Sequence, residues 1–206
     1  MRIITLTGGL GSGKSTAAEY LHGKGAAVVD LDVVARSLLA PGSPLLTRVA
    51  EQFGADEILL ADGKLDRAAL ARKAFVSAES TRTLDTIVHP AVAREVGVAV
   101  EQLRLLAEPP IAVVLEVPLL VEAPVFGELA DLVVALVAPE SMRIDRAVSG
   151  GMDREDAARR VRVQATDAER AELSDVVVVN AGPLEALHTE LDRLWEAHVA
   201  VGGAAV

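Results

Sequence analysis

A chain of 206 residues with a formal net charge of −10 and no cysteine is long enough to bury about 70% of the surface its unfolded form exposes, so neither disulfide nor metal is required to hold a core. The missing thiols exclude disulfides, Cys-ligated zinc and a thiol nucleophile together. Asp plus Glu outnumber Lys plus Arg by 30 to 20, which argues against a nucleic-acid scaffold and makes any phosphate site a local device working against the field of the whole molecule. Hydrophobic residues reach 51% but aromatics only 2%, so the core is built from Ala, Val and Leu and few rings remain to stack on a base. No apolar run approaches the roughly 20 residues a bilayer needs, and the expected setting is soluble and cytoplasmic.

In chain order, short apolar runs alternate with helix-like segments, the pattern of an α/β fold with a parallel sheet covered on both faces. Ile3–Leu6 reads as the first strand; it passes through a glycine-rich loop into a helix carrying Ala17, Ala18 and Leu21. Ala27–Val29 is the second strand. Pro41-Gly42-Ser43-Pro44 marks a break, Leu45, Val49 and Phe53 recur at helical spacing, Asp62-Gly63 marks a tight turn and Pro90 suits a first helical position. About 80 residues separate that strand from the third, Ile111–Leu115. One crossover helix cannot use so many, so the stretch from about 36 to 108 reads as an inserted helical lobe.

After the fourth strand, Leu132–Val137, the segment from about 140 to 165 holds Gly150-Gly151 between two helical patterns, the profile of a hinged lid. Asp153 can cap the helix starting near Arg154, and Thr166 with Glu169 has capping-box spacing. Val176–Val179 is the last strand. Leu184, Leu187, Leu191, Leu194 and Trp195 form the apolar face of the last helix, and the tail from Gly202 is expected to fray. The whole reads as a single domain over 1–206: a mostly parallel five-stranded sheet in three α/β/α layers, with the lobe and the lid inserted.

The strongest chemical signal is Gly8-Gly9-Leu10-Gly11-Ser12-Gly13-Lys14-Ser15, followed by Thr16, which fits the phosphate-loop pattern G-x-x-x-x-G-K-[ST]. A chance match in a chain this long is on the order of one in a hundred, and here the motif also follows a strand and opens a helix. Its glycines let the backbone wrap a phosphate with amides pointing inward, and the helix N-terminus adds the positive field that the overall charge lacks. Gly11, Ser12, Gly13, Lys14, Ser15 and Thr16 are the candidate ATP-binding residues. Lys14 reaches the β- and γ-phosphates, and the Ser15 hydroxyl ligates the Mg²⁺ that arrives with ATP. Asp30-Leu31-Asp32 follows the second strand at the carboxyl edge of the sheet, where α/β folds place ligands. A carboxylate there takes the proton of an attacking hydroxyl, holds the metal, or merely caps the helix beginning at Val33.

These blocks, taken together, resemble the dephospho-CoA kinase family. Leu6–Ser15 is similar to its phosphate loop, Val29-Asp30-Leu31-Asp32 with Ala35-Arg36 to its D-x-D-x-x-A-[RH] block, Val88-His89-Pro90 to its His-Pro block and Pro118-Leu119-Leu120-Val121-Glu122 to its P-L-L-[FV]-E block. Arg160 to Gln164 matches its R-x-x-x-Q, and Asp175 and Asn180 stand where its last strand carries Asp and Asn. The resemblance runs over nearly the whole chain in the same order. It implies a transferase that moves the γ-phosphoryl group of ATP to the ribose 3′-hydroxyl of dephospho-CoA, the final step of coenzyme A biosynthesis. It further implies Asp32 as general base, Lys14 and a lid arginine as charge stabilisers, and Asp32, Arg36, His89, Pro118 and Leu119 at the acceptor. The implied partners are the two small-molecule substrates, with no nucleic acid and no membrane.

Two positions depart from that family's pattern. Glu116 stands where Asp is frequent, and Asp145 and Ser149 occupy the places of two lid arginines. Arg146 is therefore the candidate lid arginine, with Arg143 and Arg160 as alternatives. His22, His188 and His198 lie on helical patterns beside surface charges and read as solvated, and Arg94 as an ordinary helical arginine or an acceptor contact. Two other readings share the core: a kinase of another small acceptor such as a nucleotide or sugar acid, and a nucleotide-binding regulatory module. The second lacks the N-K-x-D block a switch GTPase uses to read its base.

Overall fold

The computed structural model describes residues 1–118 and 120–200. β1 (Arg2–Gly8), β2 (Ala26–Asp30), β3 (Ala112–Val117), β4 (Leu132–Val137) and β5 (Val176–Val179) form one sheet in the order β2-β3-β1-β4-β5. Every pairing is parallel, so the sheet is wholly rather than mostly parallel. β1, β3 and β4 are buried almost throughout, whereas the edge strands β2 and β5 are partly exposed. Position in the sheet explains the difference, since the outermost strands have a neighbour on one side only.

On one face, Ile4, Leu6, Val114, Val134, Leu136 and Val178 pack against Ala17, Ala18 and Leu21 of α1 (Lys14–Gly23) and against Leu187, Leu191, Leu194 and Trp195 of α10 (Leu184–His198). Each fully buried large side chain in this layer contributes about 1.5–3 kcal/mol. α10 is also clasped to α1 by polar contacts: Tyr20 donates to Asp192 at 2.9 Å, Lys24 pairs with the same carboxylate, and Tyr20 stacks on His188. The hydrogen bond from Lys24 holds the Asp192 carboxyl below its ordinary range. α9 (Asp167–Glu172) covers the other face against β1 and β4, so the sheet lies between two helical layers. Thr166 and Glu169 complete the capping box at its start.

The amino edge of the sheet is closed by two carboxylates. Asp131 accepts the Ile3 amide and Asp175 the Val133 amide, both at 2.8 Å. This gives Asp175 a structural post at the end opposite the phosphate loop.

Chain packing divides the molecule into two compact units, Met1–Asp30 with the chain from Val100 onward, and Leu31–Ala99. The second is helical: α2 (Leu31–Leu38), α3 (Pro44–Phe53), the short α4 (Ala55–Ile58), α5 (Arg67–Ala74) and most of α6 (Ala78–Arg104). Its core is Val49, Ala50, Phe53, Ile58, Leu70 and Ala74, flanked by Leu84, Ile87 and Val88. Pro90 does not open a helix, contrary to the sequence expectation; it lies inside α6. An internal proline forfeits one backbone hydrogen bond and costs about 3 kcal/mol. The helix runs on because Ile87 and Val88 before it, and Val92, Val96 and Val100 after it, are drawn into apolar packing.

Candidate active site

β1 is central in the sheet, and its last residue, Gly8, feeds the loop that ends at the first residue of α1, Lys14. No side chain caps α1; Gly13 occupies the cap position with φ of 95°. The helix N-terminus is thus built from bare backbone, the arrangement that suits an anion. Gly9 to Thr16 line one cavity of about 700 Å³ together with Arg146, Ala147 and Gly150. All six candidate ATP-binding residues, Gly11 to Thr16, are therefore gathered there with the candidate lid arginine.

β3 runs beside β1 in register Leu6 with Glu116. This brings the Glu116 carboxylate, 9% exposed, to the Ser15 hydroxyl, which donates to it at 3.1 Å. A hydroxyl and a carboxylate oxygen so close are hard donors that suit Mg²⁺ held mainly by a triphosphate. Among the described residues no group of three His, Cys, Asp or Glu side chains could hold a metal without such help.

The lid region consists of α7 (Glu140–Ser149) and α8 (Arg154–Val163), joined across Gly150-Gly151 and packed on each other. Asp153 caps α8 through the Glu155 and Asp156 amides, as expected. Arg146 donates to the Gly11 carbonyl at 3.4 Å and to the Asn180 carbonyl and side-chain oxygen at 3.1 and 3.2 Å. Arg143 is buried and pairs with Asp167 at 3.4 Å; Arg170, the largest fully buried side chain, meets the same carboxylate oxygen at 3.6 Å. Burial pushes the Arg170 guanidinium below its ordinary range. Arg160 is exposed and pairs with Asp156 one turn earlier. At the two substituted positions, Asp145 pairs with Arg154 and Ser149 donates to the Asp145 carbonyl, so both side chains are engaged within the lid region.

Two residues to which the sequence attached no role also grip the loop. Asn180, just past β5, donates to the Ser12 carbonyl at 2.8 Å, and Gln164 accepts the Leu10 amide at 2.8 Å. Only their membership in family blocks singled them out. Gly11 (φ 72°) and Gly13 need to be glycine for a second reason besides backbone conformation, because a side chain at 11 would strike the Arg143 backbone and one at 13 the Asn180 amide.

The acceptor candidates divide between the two units. Asp32 and Arg36 lie one turn apart on α2 and are both exposed. α2 begins at Leu31, which puts Asp32 inside the first turn rather than at the cap, where its charge favours the helix dipole. His89 lies midway along α6 with Nε2 3.4 Å from Asp85. Pro118 is in the turn closing β3, at the same sheet edge as Glu116, and Leu119 lies outside the described residues, as does the tail from Gly202.

A parallel α/β/α sheet whose central strand delivers a phosphate loop, with an arginine from a paired-helix segment beside it, defines a P-loop phosphotransferase. The sequence narrows the class. A family model for dephospho-CoA kinase (CoaE) matches residues 2–186, and the chain belongs to that family. It is 43% identical over 197 residues to the dephospho-CoA kinase of Corynebacterium diphtheriae, covering 95% of this chain and 96% of that one. Among solved structures it is similar to TT1252 from Thermus thermophilus, with a TM-score of 0.76, 33% identity and coverage of 96% and 97%. The dephospho-CoA kinase of Campylobacter jejuni, at 19% identity, shares the fold with a TM-score of 0.69 over 97% of this chain and 98% of that one.

Proposed function

We propose that this chain carries out its family's reaction, transfer of the γ-phosphoryl group of ATP to the ribose 3′-hydroxyl of dephospho-CoA to give coenzyme A and ADP, and that it does so with the residues around its phosphate loop. The observation that carries the reading is the convergence of Gly9–Thr16 and Arg146 on one cavity at the N-terminus of α1. Backbone amides and Lys14 bind the β- and γ-phosphates. Asp32 accepts the proton of the attacking hydroxyl as the new O–P bond forms and the bond to the ADP oxygen breaks. Arg146 stabilises the charge that spreads over the transferring oxygens. Ser15 and Glu116 are the side chains that would hold Mg²⁺, which would neutralise phosphate charge and orient the triphosphate when bound. The helical unit Leu31–Ala99, with Asp32, Arg36 and His89, binds the acceptor, together with Pro118 and Leu119. α7 and α8 act as the lid that keeps water from the γ-phosphate.

The decisive experiment is ADP release measured with dephospho-CoA against a panel of nucleotides, nucleosides and sugar acids. Selective turnover with dephospho-CoA is expected. Equal or faster turnover with another acceptor overturns the assignment while leaving the ATP site intact. Among the described residues no helix is long and apolar enough to cross a membrane.

A further inference from the structure

Gln164 has no part in the scheme above, yet it reaches the phosphate loop from the far end of the lid. It is the C-cap residue of α8, in extended backbone conformation, and its Oε1 accepts the Leu10 amide 154 residues earlier in the chain. The fit is close. The space a side chain at Gly9 would fill is taken by the Arg143 guanidinium and by Gln164 Oε1, the latter 3.1 Å from the missing Cβ. Inside the loop, the Ser12 amide donates to the Gly9 carbonyl at 3.1 Å. Two of the loop's N–H groups thus hold its shape, one through an internal turn and one through a side chain from the lid.

A peptide unit is planar, so fixing the direction of the Leu10 amide also fixes the carbonyl of Gly9 and constrains the turn that Ser12 closes on it. In the proposed reaction the amides beyond that turn are the ones that meet phosphate. We propose that Gln164 is a positioning residue of the nucleotide site: by holding the Leu10 peptide it presets the loop for the β- and γ-phosphates and ties the end of α8 to the loop's shape. This rests on the kinase reading above. Gln164 touches no reacting atom and acts through the backbone alone, in contrast to Lys14. The cost of losing it therefore falls on nucleotide affinity, with no effect on the acceptor.

The test uses the full chain with Gln164→Met, which keeps the volume and removes the acceptor oxygen, and Gln164→Glu, which keeps that oxygen at the same reach beside Arg143. Affinity for a non-hydrolysable ATP analogue is measured by calorimetry, alongside KM for each substrate and the thermal midpoint. Gln164→Met should bind the analogue about tenfold more weakly, the worth of one strong hydrogen bond. The KM for ATP should rise in step, the KM for dephospho-CoA should not move, and the midpoint should stay within about 3 °C. Gln164→Glu should remain within about twofold of the parent, in keeping with a role carried by the acceptor oxygen alone. Wild-type analogue affinity in Gln164→Met overturns the proposal. So does an equal loss in both variants, or a loss shared by both substrates with a falling midpoint, either of which assigns Gln164 to packing. A parent chain that binds the analogue but leaves dephospho-CoA unphosphorylated overturns the acceptor reading instead, and the binding arm still decides the role of Gln164.

Discussion

Lys14 stands at the first turn of α1, and in the proposed reaction its ammonium meets negative charge that is greatest when the γ-phosphoryl group is in flight. Lys14→Ala should lower kcat by about 10²-fold or more while the variant stays folded by circular dichroism. Near-normal turnover would remove the phosphate-loop assignment. Asp32 is judged by Asp32→Asn, which preserves shape and exposure but cannot take a proton. A base in the reaction predicts a loss of about 10²-fold or more in kcat with ATP affinity intact, whereas a charge serving only the helix dipole predicts an unchanged rate. For Arg146, hydrogen bonds to the Gly11 carbonyl and Asn180 hold the guanidinium beside the loop, where the residue lines the cavity. Arg146→Ala should lower kcat far more than it raises the KM for dephospho-CoA, as for a group acting chiefly in the transition state. Arg160→Ala, on an exposed residue paired with Asp156, serves as the control with parent kinetics.

Among the elements, the loop and α7 are mutually fitted. Gly11 combines φ of 72° with close approach of the Arg143 backbone, so Gly11→Ala strains the loop and displaces α7 together. The variant should lose about 1–3 kcal/mol in chemical denaturation and most of its nucleotide affinity, since the two surfaces share one contact. A stable variant with parent affinity would show that α7 yields freely. Strand limits were close to legible in advance because buried parallel strands are continuous apolar runs; β4 and β5 have the expected ends, β1 and β2 extend by one or two residues at each end, and β3 starts one residue later and ends two later than expected. Pro90 was read wrongly because local chemistry favours proline at a helix start, while apolar packing on both sides carries α6 through it. Asp175 was another residue whose family membership said nothing of its job, which is to accept a strand amide at the amino edge.

At the level of the whole molecule, a net charge of −10 has to admit two anionic substrates. In the proposed reaction attraction is then local: α1's N-terminus, Lys14 and Arg146 line one cavity, and they rather than the surface at large draw the phosphates in. A ligand that binds only the folded chain stabilises it by mass action. ATP at about 100 times its Kd should therefore raise stability by about 2.7 kcal/mol, seen as a higher thermal midpoint. That rise should shrink in Lys14→Ala and be unaffected by Asp32→Asn. An identical rise in all three proteins would place the nucleotide elsewhere.

Composition, spacing and turn chemistry by themselves determined the parallel α/β class, the order of its strands along the chain, the phosphate loop and the two helices flanking Gly150-Gly151. Those features depend on neighbours in sequence: apolar runs, a glycine-rich turn before a helix, a capping residue before its first turn. Only the tertiary structure showed how distant side chains engage the loop. Gln164, Asn180 and Arg146 come from segments more than a hundred residues beyond it, and the β1–β3 register together with the placement of α1 sets Glu116 against Ser15. A hydrogen bond between such groups leaves no periodicity to read, because its partners are brought together by the sheet order and by the packing of whole elements, which no local pattern encodes.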